Sequence, residues 1–181
     1  MLRINLTKAA CWLPILLALS LTGCGLTQRV SDGTKSAFTA VFYKKIKVLH
    51  LDFTAREALN TDERESNSLS ESLVVRIYQL RDRKTFDKTV YQQLLKEGET
   101  VLAADLLSTR DVVIKPGGDV QLDMPMEEAA KYVGVAGLFR HPDQVKNRWK
   151  LTIEREALDP DKARVIEAGN NSLTLIAVKD K

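Results

Sequence analysis

Apolar and polar side chains alternate along much of the chain beyond residue 44, as they do in β-strands that bury one face. In the segment 45–55, Leu49, Leu51 and Phe53 lie on one phase with polar residues between them. Ile46 and Val48 fall on the opposite phase, so we expect a β-bulge near Val48. The same kind of pattern predicts further strands in the segments 72–80, 110–115, 119–124, 131–139, 148–154 and 172–179.

One of these segments and one stretch between them differ from simple alternation. The run 131–139 is apolar almost throughout, which predicts a strand buried on both faces, with glycines where a neighbour packs closely. Phe86, Val90 and Leu94 recur every four residues, with Leu95 beside them and Gly98 as a stop signal, which predicts a helix. We therefore expect an all-β fold, an antiparallel two-sheet β-sandwich with one short helix, over residues 36–181.

The N-terminus has a different pattern. Arg3 and Lys8 precede a short apolar run, Ala9 to Leu21, and small residues follow it, which is the layout of a secretory signal peptide. The run is too short for a spanning helix, which needs about 20 apolar residues. Its end, Leu21-Thr22-Gly23-Cys24, resembles the lipobox of bacterial lipoproteins. The resemblance implies cleavage before Cys24, with acylation of its thiol and of the new amine.

This interpretation divides the chain into three parts. Residues 1–23 form the signal peptide, residues 24–35 hold the acylated cysteine and a flexible tether, and residues 36–181 form the domain. In lipoproteins, an aspartate after the cysteine commonly signals retention in the inner membrane. Gly25 stands there instead, which favours the outer membrane, on its periplasmic face. The alternative is an ordinary secreted protein with a chance cysteine.

Removal of the signal changes the charge and the cysteine count. The full chain has 27 Lys and Arg against 24 Asp and Glu, a net charge of +3. Arg3 and Lys8 leave with the signal, so the mature chain carries about +1, which argues against nucleic acid as a partner. Cys11 also leaves and the lipid occupies Cys24, so the folded part has no disulfide.

No motif in the sequence carries catalytic chemistry. The chain has no G-x-S-x-G, H-E-x-x-H or glycine-rich phosphate loop. His50 and His141 each lack a second histidine or a cysteine at ligand spacing, so we interpret both as surface residues. Asp159 and Asp161 flank a proline, which a turn explains better than a calcium site. We therefore expect no enzyme, no metal site, no cofactor and no small-molecule substrate.

The predicted connection between the first two strands is unusually long. It runs from Arg56 to Ser72, whereas a hairpin normally needs two to five residues. Long ordered loops are commonly kept for contact with another molecule. The alternative is a solvated, mobile insertion.

Six blocks follow one another between Leu73 and Leu151, and they read SLVVRIYQLRD, Phe86 with TVYQQLL, LAADLL, KPGG, KYVGVAGLFR and RWKL. In this order they resemble the TssJ family, the outer-membrane lipoproteins of the type VI secretion system. The resemblance implies a transthyretin-like β-sandwich without catalytic activity. It also implies binding to the periplasmic C-terminal domain of TssM, the large inner-membrane protein of the same apparatus.

In that family the binding surface includes the loop between the first two strands. The residues predicted to contact TssM are the apolar anchors Leu59 and Leu69 and the polar residues Asn60, Asp62, Glu63, Arg64 and Glu65. Such binding would link the TssM complex to the outer membrane through the lipid on Cys24. The alternatives are another periplasmic binding module, such as a pilot or chaperone for an outer-membrane assembly, and a small-ligand carrier with an apolar cavity.

Overall fold

The computed structural model describes residues 46–62 and 69–177, and this part of the chain folds into eight strands and two helices. The expected signal peptide, the lipidation site Cys24 and the tether lie outside the described residues. In chain order the elements are β1 (Val48–Leu59), β2 (Leu73–Leu80), α1 (Lys84–Lys88), α2 (Tyr91–Leu102), β3 (Leu106–Ile114), β4 (Asp119–Pro125), β5 (Tyr132–Gly137), β6 (Lys150–Glu154), the 3-10 turn Arg155–Ala157, β7 (Arg164–Asn170) and β8 (Ser172–Leu175).

The strands form two four-stranded sheets that share one apolar core. The first sheet has the order β4-β1-β7-β8 and the second has the order β3-β2-β5-β6. Leu51 and Phe53 of β1 belong to the same buried cluster as Val75 and Ile77 of β2. The predicted two-sheet β-sandwich is therefore confirmed. All strand pairs in the described part are antiparallel except β1 with β7, which run parallel.

The first strand keeps its predicted inner face but not its predicted bulge. Leu49, Leu51 and Phe53 are buried, as the alternation indicates. The pairing of β1 with β4 is regular from Val48 to Thr54, so the predicted bulge near Val48 is wrong. The register shift lies further along, between Ala55 and Leu59, in the pairing with β7. Ile46 does not disturb the strand because it precedes β1.

The pattern of apolar residues predicts no strand where β7 lies. In this segment Ile166 and Ala168 lie on the buried face with the polar Glu167 between them, and Gly169 follows without a side chain. Two small or medium apolar side chains give a weak period-2 signal. The strand forms because β1 and β8 pair with it on both sides, which is a long-range effect.

The predicted single helix is two helices. Thr89 and Val90 have extended backbone angles between α1 and α2, so the four-residue spacing does not follow one helical face. Phe86 and Leu94 are buried, while Val90 is 58% exposed. Beside the predicted stop at Gly98, the backbone of Glu97 is non-helical (φ −134°, ψ 23°), so α2 is kinked there and then continues to Leu102. A Cβ on Gly98 would lie 2.7 Å from the Tyr78 hydroxyl, so this glycine allows α2 to approach the second sheet.

The second sheet is covered on both sides, as the apolar run of β5 indicates. Val133 and Val135 face the core between the sheets and are fully buried. On the other side, a Cβ on Gly134 would lie 2.9 Å from the ring of Phe86 in α1. The helices therefore pack on the outer face of this sheet.

The strands give the domain two distinct ends. The proximal end is where the chain enters at Ile46, beside the connection from β4 to β5 that Arg155 holds through the carbonyls of Glu127 and Ala130. The distal end holds the β3–β4 turn (115–118) and three further connections, which are the β1–β2 loop (60–72), the β5–β6 loop (138–149) and the β7–β8 turn at Asn171. The strand pairings bring these three connections together, because the end of β1 lies beside the end of β7, and the start of β2 beside the end of β5.

Lys150 fixes helix α1 to the sheet. Its ammonium group donates hydrogen bonds to the carbonyl oxygens of Phe86, Asp87 and Thr89, at 2.7–2.8 Å. It also lies over the rings of Phe86 and Trp149. A cation at a helix C-terminus satisfies carbonyls that have no partner within the helix.

We expect Lys150→Met to lower the free energy of unfolding by about 2 kcal/mol, because the carbonyls lose a charged donor while the apolar stem is kept. The matched control is Lys131→Met, which makes the same change at an exposed lysine and should stay within about 0.5 kcal/mol of the parent. Denaturant unfolding measures both. Equal losses in the two variants would contradict this role for Lys150.

Candidate functional site

The β1–β2 loop is shorter than the sequence predicts, because β1 continues through Arg56 to Leu59. The loop therefore spans residues 60–72. Three of its predicted contact residues, Glu63, Arg64 and Glu65, lie outside the described residues. The other predicted contacts, Leu59, Asn60, Asp62 and Leu69, have very different surroundings.

The two predicted apolar anchors differ most. Leu59 is the last residue of β1 and is fully buried in the core, so its side chain is not accessible to a partner in this conformation. Leu69 is 73% exposed. Of the two, Leu69 alone offers an apolar surface for binding.

Backbone and hydroxyl contacts hold the loop together where it leaves and rejoins the sheets. The Ser70 hydroxyl donates to the carbonyl of Glu57 at 2.5 Å and accepts from the amide of Leu59 at 3.3 Å. The amide of Glu71 donates to the carbonyl of Leu59 at 3.1 Å. Leu69 therefore stands next to a segment that is fixed to β1.

Asn60 links the β1–β2 loop to the β5–β6 loop and to the end of β7. Its backbone lies in the left-handed region (φ 51°), which asparagine tolerates better than most residues, and it is 4% exposed. Its side-chain oxygen accepts from the amide of Arg140 at 2.8 Å, and its side-chain nitrogen donates to the carbonyl of Ser72 at 3.2 Å. Its own amide donates to the carbonyl of Asn170 at 2.7 Å. Asn60 is thus a buried link between loops rather than part of an exposed rim.

Ion pairs join the β1–β2 loop to the β5–β6 loop. His141 Nε2 lies 2.8 Å from a carboxylate oxygen of Asp62, whose side chain is 10% exposed. The Arg140 guanidinium donates to Glu71 at 2.9 Å. From the sequence, His141 is interpreted as a surface residue without partners. In the structure it is instead the partner of Asp62, a predicted site residue. Asp62 likewise faces a neighbouring loop.

The β7–β8 turn completes the arrangement. The side-chain nitrogen of Asn171 donates to the carbonyl of Thr61 at 3.0 Å, and the amide of Asp143 donates to the carbonyl of Asn171 at 3.3 Å. The side-chain oxygen of Asn171 is buried and has no hydrogen-bond partner among the described residues. The three connections form one polar network, which we call the distal network (residues 60–62, 70–72, 140–143 and 170–171).

An open cleft of about 410 Å³ lies within this network. Its lining is polar and consists of Asp62, His141, Asp143, Arg148, Asn170, Asn171 and Ser172. The amide of Lys146 and the guanidinium of Arg148 donate to the Asp143 carboxylate, which lowers its pKa. A polar, open cleft suits hydrogen bonding with a protein surface better than the capture of an apolar small ligand.

Helix α2 holds the start of the β5–β6 loop through a hydrogen bond from Tyr91. Tyr91 donates its hydroxyl hydrogen to the carbonyl of Phe139 and packs edge-on against Trp149 at 5.0 Å between ring centroids. Burial raises the pKa of Tyr91 to about 12, so the hydroxyl remains a donor at neutral pH. Sequence reasoning missed this loop, although its length beyond an ordinary hairpin is a signal of the same kind that identified the β1–β2 loop.

The remaining candidate groups show no second site. Asp159 caps a turn through the amide of Asp161, as the sequence predicts. His50 pairs with Asp123 across β1 and β4. Within 46–62 and 69–177, no three His, Cys, Asp or Glu residues are grouped so that they could hold a metal ion. No helix in this part of the chain has the length and hydrophobicity to cross a bilayer.

Residues 47–171 match the model of the family described as "Type VI secretion lipoprotein, VasD, EvfM, TssJ, VC_A0113". The chain is 46% identical to a chain in a solved structure described as "T6SS protein TssM C-terminal domain (869-1107) from EAEC" (TM-score 0.66) and 47% identical to one in a "Type VI membrane complex" (TM-score 0.68). Each match covers 74% of this chain and 100% of the other. No curated protein matches the chain.

A more distant structure shares the fold. It is the "T6SS lipoprotein TssJ1 from Pseudomonas aeruginosa", with 17% identity and a TM-score of 0.61. The match covers 75% of this chain and 98% of that one. At this identity the likeness concerns the architecture alone.

We expect Asn60→Ala to destabilise the domain by about 2–3 kcal/mol, because it removes two side-chain hydrogen bonds and places alanine in the left-handed region. Asn170→Ala is the matched control, since Asn170 has nearly the same φ of 50° but is exposed. It should lose about 1 kcal/mol for the backbone alone. Thermal and denaturant unfolding measure both. Equal losses would mean that the Asn60 side chain contributes nothing to the distal network.

Proposed function

Since the chain belongs to the type VI secretion lipoprotein (TssJ) family, we propose that it anchors the membrane complex of the secretion system to the outer membrane by binding the periplasmic C-terminal domain of TssM. In this proposal the domain acts as a structural component and catalyses no reaction. The lipid on Cys24 supplies the attachment to the outer membrane.

One observation carries the proposal. The solved structure described as "T6SS protein TssM C-terminal domain (869-1107) from EAEC" includes a chain that is 46% identical to this one, and the match covers that chain completely. At this identity, and with a TM-score of 0.66, the two domains have the same architecture. A relative that occurs in one structure with the TssM C-terminal domain supports TssM as the partner here.

The arrangement of the domain supports a contact at the distal end. The β1–β2 loop lies at this end and carries the exposed Leu69. An apolar side chain among polar neighbours is the usual composition of a binding contact.

The structure also refines the roles of the predicted contact residues. We propose that Leu69 contacts TssM directly, together with Glu63, Arg64 and Glu65. Leu59, Asn60 and Asp62 act indirectly, because they are buried and hold the loop in position. A preorganised loop loses less conformational entropy when it binds.

The alternatives lack a comparable observation. A carrier for an apolar ligand needs an apolar cavity, whereas the cleft in the distal network is lined by polar residues. A pilot or chaperone for another outer-membrane assembly would also be a periplasmic lipoprotein, but the family match favours the type VI system.

We expect Cys24→Ser to abolish lipid attachment, because serine forms no thioether and the lipoprotein peptidase does not act on the unmodified site. Palmitate labelling and membrane fractionation measure the effect. The fold should be unchanged, since residue 24 precedes the domain. Continued labelling and sedimentation of the variant with the outer membrane would refute the lipoprotein assignment of Cys24.

We expect Leu69→Asp to weaken binding to the purified TssM C-terminal domain at least about tenfold, since loss of a central apolar contact commonly costs more than 1 kcal/mol. The matched control is Ile176→Asp, which adds the same charge at a 40% exposed residue after β8, at the proximal end. A binding titration with the full chain in detergent compares them, and a melting curve checks the fold. If wild-type protein fails to bind the TssM domain, the proposed function is wrong.

A further inference from the structure

We propose that the β5–β6 loop (138–149) forms a second part of the TssM-binding surface, with Val145 as its apolar contact. The inference deepens the proposed function and depends on it. It concerns a loop that the sequence analysis does not identify.

Side-chain and backbone contacts join the β5–β6 loop to the β1–β2 loop. Consecutive residues of the β5–β6 loop contact the β1–β2 loop, since Arg140 binds Asn60 and Glu71, and His141 binds Asp62. These contacts include a partly buried amide hydrogen bond and a largely buried carboxylate. The two loops therefore form one continuous surface, and a partner seated on one of them meets the other.

Val145 lies in the β5–β6 loop with its side chain exposed. This side chain is 95% exposed, the highest exposure of any large apolar residue in the described part of the chain. Exposed apolar side chains that stand alone are common, but this one stands on a constrained turn. Asp143, which precedes Val145, accepts from the amide of Lys146 at 3.1 Å and from Arg148 at 3.0 Å, both of which follow Val145.

The constraint on the turn matters for binding. The amide of Gln144 also donates to the carbonyl of Pro142 at 2.8 Å, so the backbone on both sides of Val145 is hydrogen-bonded. A side chain on an ordered turn loses little conformational freedom when a partner covers it. Val145 thus has the same features as Leu69: it is apolar, exposed and next to a fixed segment.

The cleft in the distal network also connects the two loops. Residues of both loops line it, together with the β7–β8 turn. The cleft presents carboxylate and amide groups at the end of the domain where both loops lie, and these groups accept hydrogen bonds. The chemistry therefore fits a TssM surface with apolar side chains at two points and hydrogen-bond donors near them.

The test is a binding titration of Val145→Asp, as the full chain in detergent, against the purified TssM C-terminal domain. We expect an increase in Kd of about tenfold, with an unchanged melting curve because Val145 is 95% exposed. The matched control is Val48→Asp, which makes the same substitution at the proximal start of β1, where Val48 is 37% exposed. Its Kd should equal that of the parent.

Comparison with Leu69→Asp separates the possible failures. If Leu69→Asp binds weakly while Val145→Asp binds like the parent, the β5–β6 loop is not part of the surface and the proposed function stands. If Val48→Asp weakens binding as much as Val145→Asp, the effect is one of charge and the inference is wrong. If the parent itself does not bind TssM, the proposed function and this inference both fail.

Discussion

Gly134 in β5 leaves room for the ring of Phe86, and much of the remaining structure depends on this close contact. It lets α1 and α2 lie on the outer face of the second sheet, so that β5 is buried on both sides. Lys150 then reaches the carbonyls of α1, and Tyr91 of α2 reaches Phe139 at the start of the β5–β6 loop. The described domain contains no cysteine, so this packing replaces the stabilisation that disulfides give to many secreted proteins.

The sequence predicts the parts of the fold that depend on local pattern. The inner face of β1 is predicted from Leu49, Leu51 and Phe53, because alternation is a property of neighbouring residues. The strand β7 is different, since Ile166 and Ala168 are a weak signal and the strand forms through its pairing with β1 and β8. The break between the helices is also unpredicted, because Thr89 and Val90 interrupt a four-residue spacing that looks continuous in one dimension.

The site shows the same division. The length of the first loop draws attention to a segment that the structure joins to two other connections by hydrogen bonds, and Leu69 is exposed there. The role of Asn60 depends instead on Arg140, which is 80 residues away in the sequence, and a single sequence gives no sign of such a contact. Among the polar residues that resemble a solvated rim in the sequence, Asn60 and Asp62 are therefore structural links.

The parallel pairing of β1 with β7 also has a consequence for how the domain folds. Leu51 meets Arg164 and Ala55 meets Ala168, so the first sheet joins residues separated by more than a hundred positions. Contacts of such high sequence separation raise the contact order, and the chain must close a long loop before they form. A chain is synthesised from its N-terminus, so β1 can pair with β4 before β7 is available. Until β7 joins, the other edge of β1 stays unpaired and is open to aggregation.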